Sequence, residues 1–558
     1  MNRVWWKEAV SYQVYPRSFK DSDGDGVGDL RGIISKLDYL KELGIDVIWV
    51  CPFYKSPNAD NGYDISDYQD ISSEFGSMQD FDTLLAEVHA RGMKLILDLV
   101  INHTSDEHPW FIESRSSTDN PKRDWYMWKD GKGQKEPNNW ESIFSGSAWA
   151  YDALTAQYYL HLFATKQPDL NWENQQVREE LFKMVNWWLD KGIDGFRVDA
   201  ISHIKKREGL PDMPNPAGEQ YVSSFDMHTN QPGIQSYLKE LKEKTFSKYD
   251  IMTVGEANGV GVDEADEWVG EEDGHFNMVF QFEHLGLWNK EVNDSVDVVG
   301  LKKKLSKWQK GLHGKGWNAL FLENHDQPRS VSSWGDDQAY WNESAKMLAA
   351  CYFLMQGTPF IYQGQEIGMT NVQFPSIEDY DDVGMKNFYD IEMAKGRPHE
   401  EVMQTIWSNG RDNSRTPMQW DDALNAGFTK GEPWMKVNPN YSKINVAAQQ
   451  QDEHSIYHFY KKMIQLRKEN PIFVYGEYDV QQEDHPGVYL YTRSISGQFA
   501  VVICNFRGNE EEIQLTNLPK DDVELVLHNY EDVPSQLTED VALRPYEVRV
   551  YLSRMNEL

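Results

Sequence analysis

Short apolar runs rich in β-branched and aromatic residues alternate with helix-period segments along most of this chain, and that alternation constrains the fold more than any other feature. The runs include "VSYQVYP", "DVIWVCP", "KLILDLVIN", "GIDGFRVD", "YDIMTVGE", "NMVFQF", "GWNALFLENHD" and "GTPFIYQGQE". Between the first two lies "GIISKLDYLKELG", whose Ile33, Leu37, Leu40 and Leu43 share one helical face before Gly44 ends it. A second helical pattern, "MQDFDTLLAEVHARG", precedes the third run. Strand, crossover helix and parallel strand form the repeating unit of α/β folds, and about eight such strands close a (β/α)8 TIM barrel.

Two stretches break the alternation. Residues 104–172 are rich in Trp, Tyr, Asp, Asn and Gly, too long for a βα loop, and read as a small inserted domain after the third strand. From residue 472, "VYGEYDV", "GVYLYTRSI", "QFAVVICNF", "VELVLHN" and "YEVRVYL" follow one another with turn signals and no helices between them, as in a C-terminal antiparallel β-sandwich. The expected plan is a barrel over 1–103 and 173–471, the insert over 104–172 and the sandwich over 472–558.

The charge excludes one class of partner. With 89 acidic against 55 basic side chains, a formal −34, the chain has no basic surplus with which to neutralise phosphates, so no nucleic-acid partner is expected. No apolar run approaches a membrane span. Cys51, Cys351 and Cys504 are odd in number and far apart, which suits free thiols in a reducing compartment. The reading is a cytoplasmic protein, a monomer or weak homodimer, acting on a small molecule.

After the first run comes "DSDGDGVGD". Asp21, Asp23, Asp25, Gly26, Val27 through its carbonyl, and Asp29 fill the first six positions of an EF-hand calcium loop, but the twelfth is Gly32 and a strand precedes the loop instead of a helix. Gathered carboxylates repel, so a structural Ca2+ is expected there, without a sensor module around it.

The reacting groups of a barrel sit where strands end. Those ends carry Asp98, Asn102 and His103 after the third strand, Arg197 and Asp199 on the fourth, Glu256 after the fifth, and His325 and Asp326 after the seventh. Facing carboxylates suit glycoside cleavage, in which one protonates the leaving oxygen and the other attacks or activates water. Arg197 points to the same side as Asp199 by the period of two, and an adjacent cation keeps a carboxylate ionised. Glu256 follows an apolar run with no base near it in sequence, a setting that suits a protonated acid.

"DLVINH", "GFRVDAISHI", "GEANG" and "ENHDQPR", with "QPDLNW" between the first two, resemble the conserved regions of the α-amylase family of retaining α-glycosidases. "SYQVYPRSF", "DNGYDISDY" and "RDNSRTPMQW" narrow the resemblance to the branch of oligo-1,6-glucosidases and exo-acting α-glucosidases. It implies Asp199 as nucleophile, Glu256 as acid and then base, and Asp326 as the carboxylate that fixes the ring hydroxyls. It also implies that His103 and His325 bind hydroxyls of the cleaved glucose, that Arg197 organises Asp199, and that Tyr63 stacks on the ring. Asp60 and Arg411 would close the pocket at the non-reducing end, with Arg415 a competitor for the second place. Phe144, Phe163 and Phe282 are candidate apolar walls. In such relatives the acidic loop holds Ca2+ or Mg2+.

Relatives that prefer α-1,6 bonds commonly carry Val after the nucleophile and Met-Pro after the acid. Here Ala200 and Ala257-Asn258 stand there. The smaller side chain and a polar Asn258 lead to the expectation of a retaining exo-α-glucosidase for α-1,4-linked maltose and maltooligosaccharides, with transglucosylation competing with hydrolysis. The alternatives are an oligo-1,6-glucosidase acting on isomaltooligosaccharides and a non-catalytic sugar-binding homologue. A trehalose-6-phosphate hydrolase would want a cationic pocket, and "HIKKREG", the basic cluster near a motif, reads as a solvated helix end.

Overall fold

The computed structural model describes residues 3–288, 296–516, 518 and 522–553. Its largest sheet has eight parallel strands, Ser11–Val14, Val47–Val50, Lys94–Val100, Gly195–Asp199, Met252–Glu256, Met278–Phe280, Ala319–Leu320 and Thr358–Tyr362. Neighbours in the chain pair in parallel, and the first strand also pairs with the eighth, Tyr12 opposite Ile361. A parallel bridge from Val279 to Asn318 joins the sixth strand to the seventh. The expected (β/α)8 barrel is therefore present.

Alternate residues of the strands fill its interior. Val47, Trp49, Ile96, Met252, Val254, Met278, Phe280, Phe360 and Tyr362 form one buried cluster, while the outward set packs against the helices. Gly195 opens the fourth strand at φ +141°, and a Cβ there would stand 1.8 Å from the Met252 carbonyl oxygen, so only glycine permits this approach of two strands. The first crossover differs from the single helix expected. It breaks at Lys36 (φ −113°, ψ 6°) into Leu30–Ser35 and Leu37–Leu43, yet Ile33, Leu37, Leu40 and Leu43 are all fully buried and Gly44 ends it in the left-handed region. Helix Met78–Ala90 starts from a Ser77/Asp80 capping box.

Beyond the third strand, Trp128–Lys129, Gln157–Leu160 and Trp149–Asp152 form a three-stranded antiparallel sheet. Trp140–Glu141 pairs in parallel with Val222–Ser223, which arrives from beyond the fourth barrel strand. At the C-terminal end, Glu477–Gln481, Val488–Ile495, Gln498–Asn505, Val548–Ser553 and Val523–His528 make a five-stranded antiparallel sheet. Glu511–Gln514 and Asp540–Leu543 form a second, smaller sheet, and Val488, Leu490, Val501 and Ile503 pack against Ile513, Val541 and Leu543. Among the described residues, no helix is long and apolar enough to cross a membrane. All three cysteines are free and buried.

Candidate active site

Parallel strands present their last residues at one rim, and on the fourth strand the period of two sends Arg197 and Asp199 inward together. Arg197 is the hub. Its Nη1 donates to Asp98 Oδ1 at 2.9 Å and to Asp199 Oδ1 at 2.8 Å, and its Nη2 lies 2.9 Å from Glu256 Oε2. The guanidinium also lies over the Trp49 ring, 5.1 Å from its centroid. Three carboxylates around one buried cation carry more negative charge than it balances. Burial pushes the Asp199 carboxyl well above the usual carboxylate range, with Glu256 and Asp98 adding to the effect and Arg197 opposing it. Asp98 is pushed up to about 6, chiefly by burial.

Arg197 thus works against burial at Asp199, and Glu256, which has no base near it in sequence, has the same guanidinium beside it in space.

Asp326 is the opposite case. Against burial, the His325, Arg411 and Arg415 side chains hold its carboxyl well below the usual range. Arg415 Nη2 donates to Asp326 Oδ1 at 2.8 Å, Arg411 Nη1 to the same oxygen at 3.2 Å, and His325 Nε2 stands 3.1 Å from Oδ2. Gln13 donates to His325 Nδ1 at 2.7 Å, which leaves the ring proton on Nε2. Burial lowers the His325 pKa to about 3, so the ring is neutral.

Arg411 also reaches Asp60 at 3.1 Å, across 351 positions of sequence. Of the two competing arginines it is therefore the partner of Asp60, while Arg415 donates its Nε to the His325 carbonyl behind the site at 2.9 Å. Phe144 lies under the Arg411 guanidinium at 4.6 Å and meets Phe163 edge to face at 5.7 Å; Phe282 packs instead on Phe321. Tyr63 donates its hydroxyl to Asp98 at 3.0 Å and stacks on His325, with centroids 5.1 Å apart. His103 has its Nε2 3.1 Å from the Tyr63 carbonyl oxygen and its ring 5.1 Å from Phe163. Asn258 is half-buried two positions beyond Glu256.

Three participants went unassigned in the sequence reading. Asp382 accepts from Arg411 at 2.7 and 3.1 Å while capping helix Val383–Ala394. Only its place as an N-cap marked it. Gln167, inside the quoted "QPDLNW", donates to Asp60 at 3.1 Å and stands 3.1 Å from His103 Nε2. Lys206 corrects the reading of "HIKKREG" as a solvated helix end. It is buried, 2.6 Å from Asp169 and 3.0 Å from Asn102 Oδ1, because the short turn after the fourth strand runs inward against "QPDLNW".

At the acidic loop, Asp21, Asp23 and Asp29 each offer one carboxylate oxygen, all within 4.8 Å of one another. Asp25 stands outside that set, its Oδ1 accepting from the Val27 N–H at 2.8 Å. Asp21 accepts from the N–H groups of Asp23, Gly24 and Gly26 and from the Thr429 hydroxyl. Asp29 caps the first helix by accepting from Gly32. An oxygen-only donor set of this kind fits a hard cation such as Ca2+ or Mg2+.

The family model described as alpha amylase, catalytic domain, matches residues 13–476. The "Probable oligo-1,6-glucosidase 3" of Bacillus subtilis (strain 168) is 61% identical over 99% of this chain and 100% of its own length. The oligo-1,6-glucosidase of Parageobacillus thermoglucosidasius is 56% identical over 100% of both chains. The crystal structure of a Bacillus licheniformis trehalose-6-phosphate hydrolase superposes with a TM-score of 0.93 at 46% identity, covering 99% of this chain and 100% of that one.

These relatives overturn the α-1,4 expectation, since curated sequences 55–61% identical to this chain are named for the α-1,6 bond. At Ala200 itself the main-chain N–H donates to Glu256 Oε2 at 2.8 Å from a left-handed conformation, φ 45° and ψ 31°. With a catalytic-domain match over most of its length and relatives more than half identical from end to end, the chain belongs to the α-amylase family.

Proposed function

We propose that this protein is a retaining, exo-acting oligo-1,6-glucosidase that releases terminal α-1,6-linked glucose from isomaltooligosaccharides. The observation that carries the reading is the Arg197 guanidinium bound to both Asp199 and Glu256. Carboxylates tied to one guanidinium suit a retaining enzyme, in which the pair sits about 5–5.5 Å apart, better than an inverting one, which leaves about 6.5–9.5 Å for water. The names of the relatives at 55–61% identity favour the α-1,6 bond.

In this reading Asp199 attacks the anomeric carbon while Glu256 gives its proton to the departing oxygen. Glu256, now a carboxylate, then takes a proton from the water that releases glucose. A second sugar hydroxyl in place of water gives transglucosylation. Asp326, kept ionised by two arginines, accepts from ring hydroxyls, and the Asp60–Arg411 pair closes the end beyond the terminal glucose, which limits cleavage to one unit at a time. Asp21, Asp23 and Asp29 would hold a structural Ca2+ or Mg2+, and its chemistry is charge neutralisation alone. Three buried free thiols favour the cytoplasm.

Initial rates on isomaltose and maltose test the linkage; isomaltose is expected to be the better substrate, and a maltose preference overturns the reading. Asp199→Ala should abolish turnover of nitrophenyl α-glucoside in a folded protein, and near-normal turnover would remove the mechanism.

A further inference from the structure

Phe225 is 40% exposed, yet its ring ends a row of aromatic contacts that begins beside Tyr63. His103 meets Phe163 at 5.1 Å, Phe163 meets His203 at 6.0 Å, and His203 meets Phe225 edge to face at 5.6 Å. His203 is buried in the turn Ile201–His203, four positions after Asp199. The row therefore leads from His103, beside Tyr63, out to solvent.

The segment that carries Phe225 is clamped on three sides. Val222–Ser223 pairs with Trp140–Glu141 of the stretch after the third strand. Asn230 donates its backbone N–H to the Ser202 carbonyl at 2.9 Å, just past the nucleophile, and its side chain to Glu264 at 2.9 Å, just past the acid. Thr229 packs so closely on Gly259 that a Cβ there would stand 2.9 Å from it. One segment thus touches both loops that follow Asp199 and Glu256, and its Phe225 ring stands exposed against His203 of the first of them. The blind end of the pocket is at Asp60 and Arg411. The general acid works on the leaving-group side, so the lip beside its loop is where the departing sugar emerges.

A single exposed phenylalanine is ordinary. One held rigidly beside the exit of a sugar pocket offers a flat apolar face to the C–H groups of a pyranose, with little ordering cost on binding. We infer that Phe225 is the platform for the second sugar of the leaving group, the unit beyond the one whose oxygen Glu256 protonates. This rests on the oligosaccharide-hydrolase reading and adds the residue that sets its chain-length preference.

The test compares wild type, Phe225→Ala, Phe225→Leu and Phe225→Trp by kcat/KM on isomaltose, which has no second leaving-group unit, and on isomaltotriose, which has one. Thermal melting checks that each variant is folded. The isomaltotriose-to-isomaltose ratio is expected to fall about fivefold to tenfold in the Ala and Leu variants, through KM, and to return in the Trp variant. A ratio equal to that of wild type in a folded Ala or Leu variant overturns the inference, and so does an equal loss on both substrates. If wild type prefers maltose, the same ratio taken with maltotriose and maltose tests the platform separately from the linkage.

Discussion

Ala200 donates its backbone N–H to Oε2 of Glu256 at 2.8 Å, so the residue next to Asp199 holds Glu256 by its main chain. Its left-handed φ of 45° aims that N–H across to the fifth strand. Ala200→Val keeps the donor but puts a β-branched side chain where L-residues are strained. The expected result is a loss of about 1–2 kcal/mol in chemical denaturation, with isomaltose still preferred over maltose. A reversal of that preference would return linkage choice to side-chain size.

Asp382 accepts from Arg411 with both oxygens, and the same guanidinium reaches Asp60 and Asp326. Against burial, the Arg411 guanidinium holds this carboxyl below its ordinary pKa. Asp382→Asn keeps the shape and removes the charge. A charged hydrogen bond of this kind is worth about 1.5–3 kcal/mol, so kcat/KM on isomaltose should fall about 10- to 100-fold, mostly through KM. An unchanged KM would show that Arg411 is aimed without it.

His103 gives a pH prediction. Burial, with Lys206 adding, lowers its pKa to about 4, while Asp169 opposes. A histidine with a depressed native pKa is neutral in the fold, so its contribution to stability is whole above about pH 6.5 and is lost as pH falls toward 4. The span corresponds to about 3 kcal/mol. Denaturant midpoints measured from pH 7 to pH 4 should therefore fall less steeply in His103→Gln than in the wild type. Parallel slopes would place the acid sensitivity elsewhere.

For the acidic loop, removal of divalent ions with a chelator should lower the melting temperature, and added Ca2+ should restore it, by linkage of binding to the folded state. Asp23→Asn should blunt the response. Rates on nitrophenyl α-glucoside at a temperature well below melting should change little, because the loop follows the first strand and none of its carboxylates contacts Asp199, Glu256 or Asp326 among the described residues. A melting temperature that ignores both chelator and Ca2+ would leave the loop held by its own N–H groups and Thr429.

The period of strands and helices was legible because burial enforces it locally: Ile33, Leu37, Leu40 and Leu43 had to share a face, and the strand runs had to be largely apolar. The break at Lys36 was not, since it changes the backbone without moving any of those four residues off the core. The strand-tip residues were equally legible, because a barrel places strand ends at one rim whatever the loops do.

The barrel, the family and the carboxylates at the rim follow from order and spacing along the chain. What surrounds those carboxylates depends on the fold in three dimensions. Arg197 meets Glu256 across a strand, Arg411 meets Asp60 and Asp382 over hundreds of residues or a few dozen, and Lys206 turns inward to Asp169. Charges of these kinds act over a few ångströms of low-dielectric interior, a separation on which distance along the chain carries no information.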